Sequence, residues 1–206
     1  MRRSKEDAEQ TRTAILDAAE QLFCAQGVSA STLEGIARKA GVTRGAVYWH
    51  FKDKVDLLRA LHERSMTPQE VLVRTAAQEG HADPLGLLEQ AACDMLALFE
   101  QDGCQQRVFL ILHDHMPDAE GTAWLRAKNA EMSEVLRLLA EQAQARGQLS
   151  PEFTPGEIAV ILMASMSGLL SEWLRGGKGF ALADLGGRFI ARQLQMLRAQ
   201  PRSPSG

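Results

Sequence analysis

Aromatic residues and cysteines are scarce in this chain. Its 206 residues include one Tyr and three Cys, and aromatic residues make up only 5% of the total. Runs of β-branched residues are also few, and because strands favour β-branched and aromatic side chains, the composition argues against a β-sheet. Cys24, Cys93 and Cys104 are odd in number and lack the spacing of a metal site. We therefore expect reduced thiols and a cytoplasmic protein.

Long hydrophobic runs are missing as well. The longest, from Ile158 to Leu170, is interrupted by Ser and Gly and is shorter than the roughly 20 residues that span a bilayer. Arg2 and Arg3 are followed by a polar segment, where a signal peptide requires an apolar one. We expect neither secretion nor a membrane partner.

The chain also lacks the motifs of common enzymes. It contains no nucleophile elbow, no dinucleotide fingerprint and no pair of carboxylates in a predicted cleft. The Gly-rich stretch 176–179 lacks the strand and the Ser or Thr of a phosphate-binding loop, so we interpret it as a turn. His113 and His115 lie two apart on a predicted helix and point to different faces, which argues against a shared metal ion. We predict no catalytic residue, no metal and no cofactor.

Residues that favour helices are abundant. Ala, Leu, Glu, Gln and Arg recur at helical spacing, which predicts an all-α protein. Capping residues, Pro and Gly divide the chain into nine predicted helices, at about 8–26, 33–40, 44–50, 54–79, 84–101, 104–115, 119–146, 155–175 and 181–198. The fourth is expected to connect an N-terminal domain, residues 1–53, directly to a C-terminal domain, residues 54–206.

The second and third predicted helices form the most informative segment. Ser31, with Glu34 three residues later, predicts the cap of the second helix, and Gly41 predicts a tight turn. Thr43 then caps the third helix. This pattern is typical of a helix-turn-helix, which inserts its second helix into the major groove of DNA.

The charge distribution is compatible with a DNA partner at one end. The net charge is +2 through Arg59 and −5 beyond it, although the whole chain carries −3. A mildly basic N-terminal segment before an acidic remainder is expected of a protein that contacts DNA only through that segment.

The segment from about Thr11 to Leu58 resembles the DNA-binding domain of TetR-family transcriptional regulators. Gly45-Ala46-Val47-Tyr48-Trp49-His50-Phe51, with Lys54 three residues beyond, is closest to the branch of AcrR- and TtgR-like multidrug efflux repressors. One departure is Gly35, where the family usually carries a polar or acidic helix former. Because Gly disfavours a helix interior, we expect a softer first helix of the motif.

This segment contains the predicted DNA-binding residues. Thr43, Arg44 and Tyr48 are placed to read base edges, with Arg44 suited to guanine. The others lie where they can approach the duplex or its phosphates. The full set is Thr32, Thr43, Arg44, Gly45, Tyr48, Trp49, His50, Lys52 and Lys54. For Phe51 we prefer a core position, whereas Trp49 fits either environment equally well.

A Met-rich, largely apolar set in the remainder predicts a chamber for small hydrophobic ligands. His113 is either a polar handle in that chamber, which the family resemblance supports, or a core histidine. The predicted ligand-binding residues are Met66, Ala92, Met95, Phe99, Phe109, His113, Met132, Leu136, Met163, Met166 and Ser167.

The eighth predicted helix is apolar almost all round, so it must be covered on two sides. A second subunit is one cover, and a wholly internal helix is the alternative. We expect the eighth and ninth helices to form a four-helix interface across a two-fold axis. Its predicted residues are Ile158, Leu162, Ser165, Leu169, Leu170, Trp173, Phe189, Ile190, Leu194 and Leu197.

Together these features and the resemblance imply a homodimeric repressor. It is expected to bind an inverted-repeat operator, to control a multidrug efflux pump operon and to leave DNA when a small hydrophobic compound binds. One alternative is a TetR-type sensor of a metabolic ligand such as a fatty acyl or aromatic compound. The other is a helical lipid-binding protein or enzyme that has lost affinity for DNA.

Overall fold

The computed structural model describes residues 5–114 and 119–199. Within these ranges the chain forms ten helices and no strand, which confirms the predicted all-α fold. The helices are α1 Lys5–Ala30, α2 Leu33–Ala40, α3 Arg44–His50, α4 Lys54–Ser65, α5 Pro68–Glu79, α6 Pro84–Gln101, α7 Gly103–Asp114, α8 Ala119–Ala145, α9 Pro155–Arg175 and α10 Leu182–Leu197. His115, part of the rejected metal pair, lies outside the described residues.

The prediction of one long helix from 54 to 79 was wrong. The chain breaks after Ser65, and Thr67 caps a separate α5 by accepting a hydrogen bond from the backbone N–H of Glu70 at 3.1 Å. Pro68 explains the break, because its ring has no N–H to donate and disfavours helical geometry in the preceding residue. A helix therefore ends before Pro68 and another begins there.

Local side-chain caps begin α6 and α9. Asp83 accepts from the backbone N–H of Gly86 at 3.1 Å ahead of Pro84, the first residue of α6. Thr154 and Glu157 form the predicted reciprocal capping box of α9. These local hydrogen bonds satisfy N–H groups that a helix start leaves without partners.

Helix α10 differs, because Ala181 before it has no side-chain cap. Glu100, at the end of α6, instead accepts from the backbone N–H groups of Leu182 at 2.7 Å and Ala183 at 3.3 Å. Close packing accompanies this contact, since a Cβ added at Gly186 of α10 would lie 2.9 Å from Leu96 of α6. Helix α10 is therefore fixed to α6 by both its start and its side.

The chain divides into two compact units that are not continuous in sequence. The first comprises the described residues up to Met66 together with the segment Gly103–Ala127, and the second comprises Thr67–Asp102 and the described residues from Lys128 onward. This division differs from the predicted domain boundary at residues 53 and 54, because α4 and α7 pack with the N-terminal helices. Core residues of the first unit include Ile15, Phe23, Ile36, Val47, Leu58 and Ile111.

Candidate nucleic-acid interface and family

The turn between α2 and α3 has the geometry that its sequence predicts. Gly41 lies in the left-handed region at φ 68°, where a residue without Cβ is favoured. The N–H of Val42 donates to the carbonyl of Ala37 at 3.0 Å, which closes the end of α2. Thr43 caps α3 as predicted, accepting from the N–H of Ala46 at 3.1 Å.

The predicted cap of α2 was wrong by one residue. Thr32, not Ser31, caps the helix by accepting from the N–H of Gly35 at 3.0 Å. Ser31 is buried, and its hydroxyl donates to the carbonyl of Gly27 at 2.7 Å, so it is committed to the end of α1. Thr32 has the extended backbone that a capping residue requires.

Gly35, the departure from the family pattern, lies beside this cap. A Cβ added there would come within 3.2 Å of the Thr32 hydroxyl oxygen. That separation is tight, so glycine leaves the cap uncrowded. The expected softening of α2 is therefore offset by an unobstructed hydrogen bond at its first turn.

Helix α3 presents one face to solvent and the other to the core. Val47 is fully buried, and Phe51 immediately after the helix is 3% exposed, as preferred for a core aromatic. Arg44 and Gly45 are exposed, and Tyr48 and Trp49 expose 49% and 73% of their surfaces. One side of this seven-residue helix therefore packs against the core, and its polar and aromatic side is exposed to solvent.

Two of the exposed residues are in contact. Nη2 of Arg44 donates to the hydroxyl of Tyr48 at 3.4 Å, and the guanidinium carbon lies 5.4 Å from the ring centroid. The hydrogen bond to Tyr48 raises the pKa of the Arg44 guanidinium, and the charge of Glu34 raises it further. Arg44 therefore stays cationic and lies along the open face of α3.

Lys54 has a different environment from the one predicted. Its ammonium donates to the carbonyl oxygens of Val28 at 2.9 Å, Ser29 at 3.3 Å and Ser31 at 3.2 Å. An ammonium has three N–H groups, so these bonds use all of its donors. We therefore assign Lys54 to fastening α4 to the end of α1 and remove it from the proposed phosphate contacts.

The remaining predicted DNA-binding residues are not equally accessible. Thr32, Thr43 and Lys52 are exposed, whereas His50 is half-buried beside Trp49, with ring centroids 4.5 Å apart. Arg38 and Lys39, both exposed in the last turn of α2, were missing from the prediction. Two consecutive basic residues before a helix-turn-helix Gly were the available signal, and they are further candidates for phosphate contacts.

The predicted ligand-binding residues are divided between the two units. Phe99 and Leu136 are buried in the second unit, where Phe99 packs edge-on against Trp173 with ring centroids 6.0 Å apart. Half-buried positions of that unit hold Ala92, Met95, Met132, Met163, Met166 and Ser167. Met66, Phe109 and His113 belong to the first unit. These assignments remain predictions.

His113 is exposed and does not occupy an apolar interior within the first unit. Its ring stacks on Phe109 with centroids 3.9 Å apart, and its Nδ1 lies 3.0 Å from the Phe109 carbonyl oxygen. This exposure argues against a core histidine, while a ligand contact for His113 remains a prediction. One helical turn separates the two residues, which accounts for the stacking.

A cleft of about 620 Å³ lies within the first unit, and charged residues contribute most of its lining side chains. At its base, the side chain of Glu20 is 5% exposed and binds Arg64 and Arg107, each at 2.5 Å. The other lining residues are Asp17, Gln21 and Cys104. No predicted ligand-binding residue lines this cleft, which therefore differs from the apolar chamber that the sequence predicts.

Seven of the ten predicted dimer residues are buried within the chain itself. These are Ile158, Leu162, Leu170, Trp173, Ile190, Leu194 and Leu197. Ser165 and Leu169 are half-buried, and Ser165 accepts a hydrogen bond from Gln193 at 2.7 Å. Phe189 alone is exposed. The buried seven are core residues of the second unit, so they do not form an open surface for a second subunit.

Other apolar residues on α9 and α10 are exposed. Leu185, Phe189 and Met196 recur at helical spacing on α10 and lie on one face, and Met196 is 71% exposed. Val160 on α9 is 64% exposed. We refer to these four residues as the α9–α10 apolar face. Three of them were missed because helical periodicity alone does not tell a core stripe from a surface stripe.

Comparison with known sequences identifies the family. Residues 15–61, which contain the helix-turn-helix, match the sequence profile described as bacterial regulatory proteins, tetR family. Residues 83–199, more than half of the chain, match the C-terminal region of MAATS-type transcriptional repressors. The chain belongs to the tetR family. The resemblance predicted from residues 11–58 is confirmed and extends through the C-terminal region.

Members of the tetR family similar to this chain are transcriptional repressors. The HTH-type transcriptional repressor BepR of Brucella suis is 44% identical, with 99% of this chain and 100% of that protein covered. The crystal structure of NalD, described as the secondary repressor of the MexAB-OprM multidrug efflux pump in Pseudomonas aeruginosa, is 32% identical with a TM-score of 0.81, covering 95% of this chain and 99% of NalD.

The structure of a third relative, SmeT, contains a bound ligand. The structure of SmeT with triclosan is 26% identical with a TM-score of 0.82, covering 95% of this chain and 97% of SmeT. These relatives make this tetR-family protein a transcriptional repressor and not an enzyme. The alternative of a helical enzyme that has lost DNA affinity is therefore set aside.

Helix α9 is long and apolar enough to cross a membrane by length and composition alone. It lies, however, inside the matched C-terminal region of the repressor family, and Ile158, Leu162, Leu170 and Trp173 pack within the second unit. In this tetR-family protein we interpret the apolarity of α9 as core packing on one side and the α9–α10 apolar face on the other.

Proposed function

We propose that the protein is a cytoplasmic, homodimeric repressor of a multidrug efflux pump operon, released from an inverted-repeat operator by small hydrophobic compounds. The open polar and aromatic face of α3 is the observation that carries the proposal. A recognition helix with its inner side buried and Arg44, Gly45 and Tyr48 exposed is suited to the major groove.

The relatives support the proposed regulated genes and ligand class. NalD is named as a repressor of a multidrug efflux pump, and SmeT is described in complex with triclosan, a small hydrophobic compound. The half-buried Met residues of the second unit suit ligands of several shapes, because thioether side chains are flexible. We therefore place the ligand among Met95, Met132, Leu136 and Met166.

The α9–α10 apolar face supports the proposed dimer interface. Exposed Val160, Leu185, Phe189 and Met196 lie on the two C-terminal helices and lack cover within the described chain. Two copies that bring these faces together would bury them in a four-helix interface. The same arrangement presents two α3 helices to an inverted repeat, since operator symmetry mirrors protein symmetry.

Operator binding is tested with DNA from the regions flanking the protein's own gene and its neighbours. Fluorescence anisotropy should give affinity for one inverted repeat that exceeds the affinity for a scrambled duplex by at least about 10³ at physiological salt. Equal affinity for both duplexes would overturn the proposal.

Release is tested by adding a panel of hydrophobic antibiotics, dyes and triclosan. Compounds that raise the melting temperature should weaken operator binding, because linkage between two sites is reciprocal. Ala92→Trp, which adds an indole ring one helical turn from Met95, should block this response and leave operator affinity without ligand unchanged. Compounds that stabilise the wild type without weakening DNA binding would contradict the release mechanism.

A further inference from the structure

Arg44 and Tyr48 form a contact that packing does not require. Both side chains lie on the open face of α3, one helical turn apart, with the hydrogen bond of 3.4 Å and the guanidinium 5.4 Å from the ring centroid. Tyr48 is 49% exposed and contributes little to the core. The contact therefore joins two exposed side chains and adds little to the core packing.

We propose that Tyr48 is a positioning residue for Arg44, holding its guanidinium in the orientation that reads a guanine-containing base pair. The inference rests on the proposed function, in which α3 enters the major groove. Tyr48 thereby determines sequence specificity through Arg44 and not only through its own contact with DNA.

The physical reason is the flexibility of arginine. A free Arg side chain has many rotamers, and ordering it on binding costs free energy. The aromatic ring attracts the cation and limits those rotamers before DNA arrives. The hydrogen bond uses one of five N–H donors, so the guanidinium retains enough donors for bidentate binding to O6 and N7 of guanine.

Gly45 supports this arrangement. A Cβ added at Gly45 would meet only the Thr43 hydroxyl oxygen at 3.9 Å, and the residue does not adopt a left-handed backbone. Neither packing within the protein nor backbone geometry therefore requires glycine at this position. The absent side chain leaves room beside Arg44 for close approach of a base pair.

A double-mutant cycle distinguishes positioning from an independent DNA contact. Tyr48→Leu removes the ring and the hydroxyl, and Arg44→Ala removes the reading group. Tyr48→Leu should weaken operator binding about two- to five-fold and reduce discrimination against a changed guanine by a similar factor. In the Arg44→Ala background the same substitution should change affinity by less than about two-fold.

Tyr48→Phe is the conservative control. It keeps the ring face and loses the hydroxyl, so it should retain most of the discrimination. If Tyr48→Leu causes the same fold loss in both backgrounds, Tyr48 contacts DNA independently and the proposal is overturned. If Tyr48→Phe loses as much discrimination as Tyr48→Leu, the ring face has no positioning role.

A measurement without DNA separates this inference from the proposed function. Nuclear magnetic resonance relaxation of the Arg44 side chain should show an ordered guanidinium in the wild type and in Tyr48→Phe, and a mobile one in Tyr48→Leu. Unchanged mobility in Tyr48→Leu would overturn the inference even if operator binding is strong. An ordered Arg44 in a protein without operator affinity would instead contradict the proposed function alone.

Discussion

Oε1 of Glu20 accepts a hydrogen bond from Nε of Arg107 at 2.5 Å, joining α1 to α7 across 87 residues of sequence. Oε2 of the same carboxylate accepts from Arg64 at 2.5 Å and from the thiol of Cys104 at 3.2 Å. One nearly buried carboxylate thus connects α1, α4 and α7. This connection explains why α7 belongs with the N-terminal helices despite its place in the sequence.

Glu20→Gln should destabilise the first unit by about 1–3 kcal/mol, because it weakens charge-assisted hydrogen bonds at a buried acceptor. Asp17→Asn is the matched control, since Asp17 binds Arg64 from a position where 54% of its side chain is exposed. The Asp17→Asn substitution should lower the free energy of unfolding by at most about 1 kcal/mol. Urea denaturation of both variants checks the difference, and equal losses would show that burial of Glu20 contributes nothing.

Arg44→Ala should weaken operator binding roughly five- to one-hundred-fold and relax preference at one base pair, because Arg44 is proposed to read guanine. Lys52→Ala, at an exposed position beyond α3, should weaken all DNA alike and reduce the salt slope by about one. Titrations against operator and scrambled duplexes at several salt concentrations measure both effects. Identical behaviour of the two variants would contradict the assignment of Arg44 to base reading.

Lys54→Ala should lower the free energy of unfolding by about 1.5–3 kcal/mol, since three carbonyl groups lose a charged donor. The salt slope of DNA binding should stay at the wild-type value, because the ammonium is already committed within the protein. Lys52→Ala is the comparison, with little loss of stability and a reduced slope. If Lys54→Ala reduces the salt slope of DNA binding and leaves the free energy of unfolding unchanged, Lys54 contacts a phosphate.

Phe189→Glu should convert the dimer to monomers, because it places a charge in the α9–α10 apolar face while leaving the core intact. Sedimentation velocity at micromolar concentration measures the change, and circular dichroism should show an unaltered fold. Gln144→Glu, at an exposed position of α8, should remain dimeric. If the wild type itself sediments as a monomer, the dimer proposal fails.

Glu157→Gln should lower the free energy of unfolding at neutral pH. The free energy of unfolding of this variant should also fall less than that of the wild type when the pH is lowered. Hydrogen bonds from the backbone and hydroxyl of Thr154 lower the pKa of Glu157, so its ionised form stabilises the folded chain. That contribution is present above the ordinary Glu pKa of about 4.3 and is lost as pH falls through the lowered value. Denaturation at pH 7 and in acid should show wild type and variant converging at low pH. The control Glu152→Gln, in the loop before α9, should have the same free energy of unfolding as the wild type at pH 7 and in acid.

Local signals account for what the sequence predicted well. The starts of α6 and α9 depend on residues within four positions of each other, such as Asp83 with Gly86 and Thr154 with Glu157. The turn at Gly41 and the cap at Thr43 are equally local. Such hydrogen bonds join residues close in sequence, so they can be predicted without knowledge of the tertiary fold.

The errors arose where a local signal was overridden or was absent. Thr67 and Pro68 were local signals for the start of α5, and the prediction of one helix from 54 to 79 disregarded them. The role of Lys54 had no local signal, because its acceptors precede it by 23 to 26 residues. Seven predicted dimer residues are buried instead, because helical periodicity does not reveal which side of a helix its own chain covers.

The remote cap of α10 has a consequence for synthesis on the ribosome. Glu100, which accepts from the first N–H groups of α10, is translated 82 residues before Leu182. During translation the start of α10 therefore has no partner of its own until it docks on α6. We expect the second unit to acquire its final order only after α10 has been translated and has docked on α6, while the helix-turn-helix can fold early. Repressor activity would then lag behind the appearance of the folded N-terminal segment.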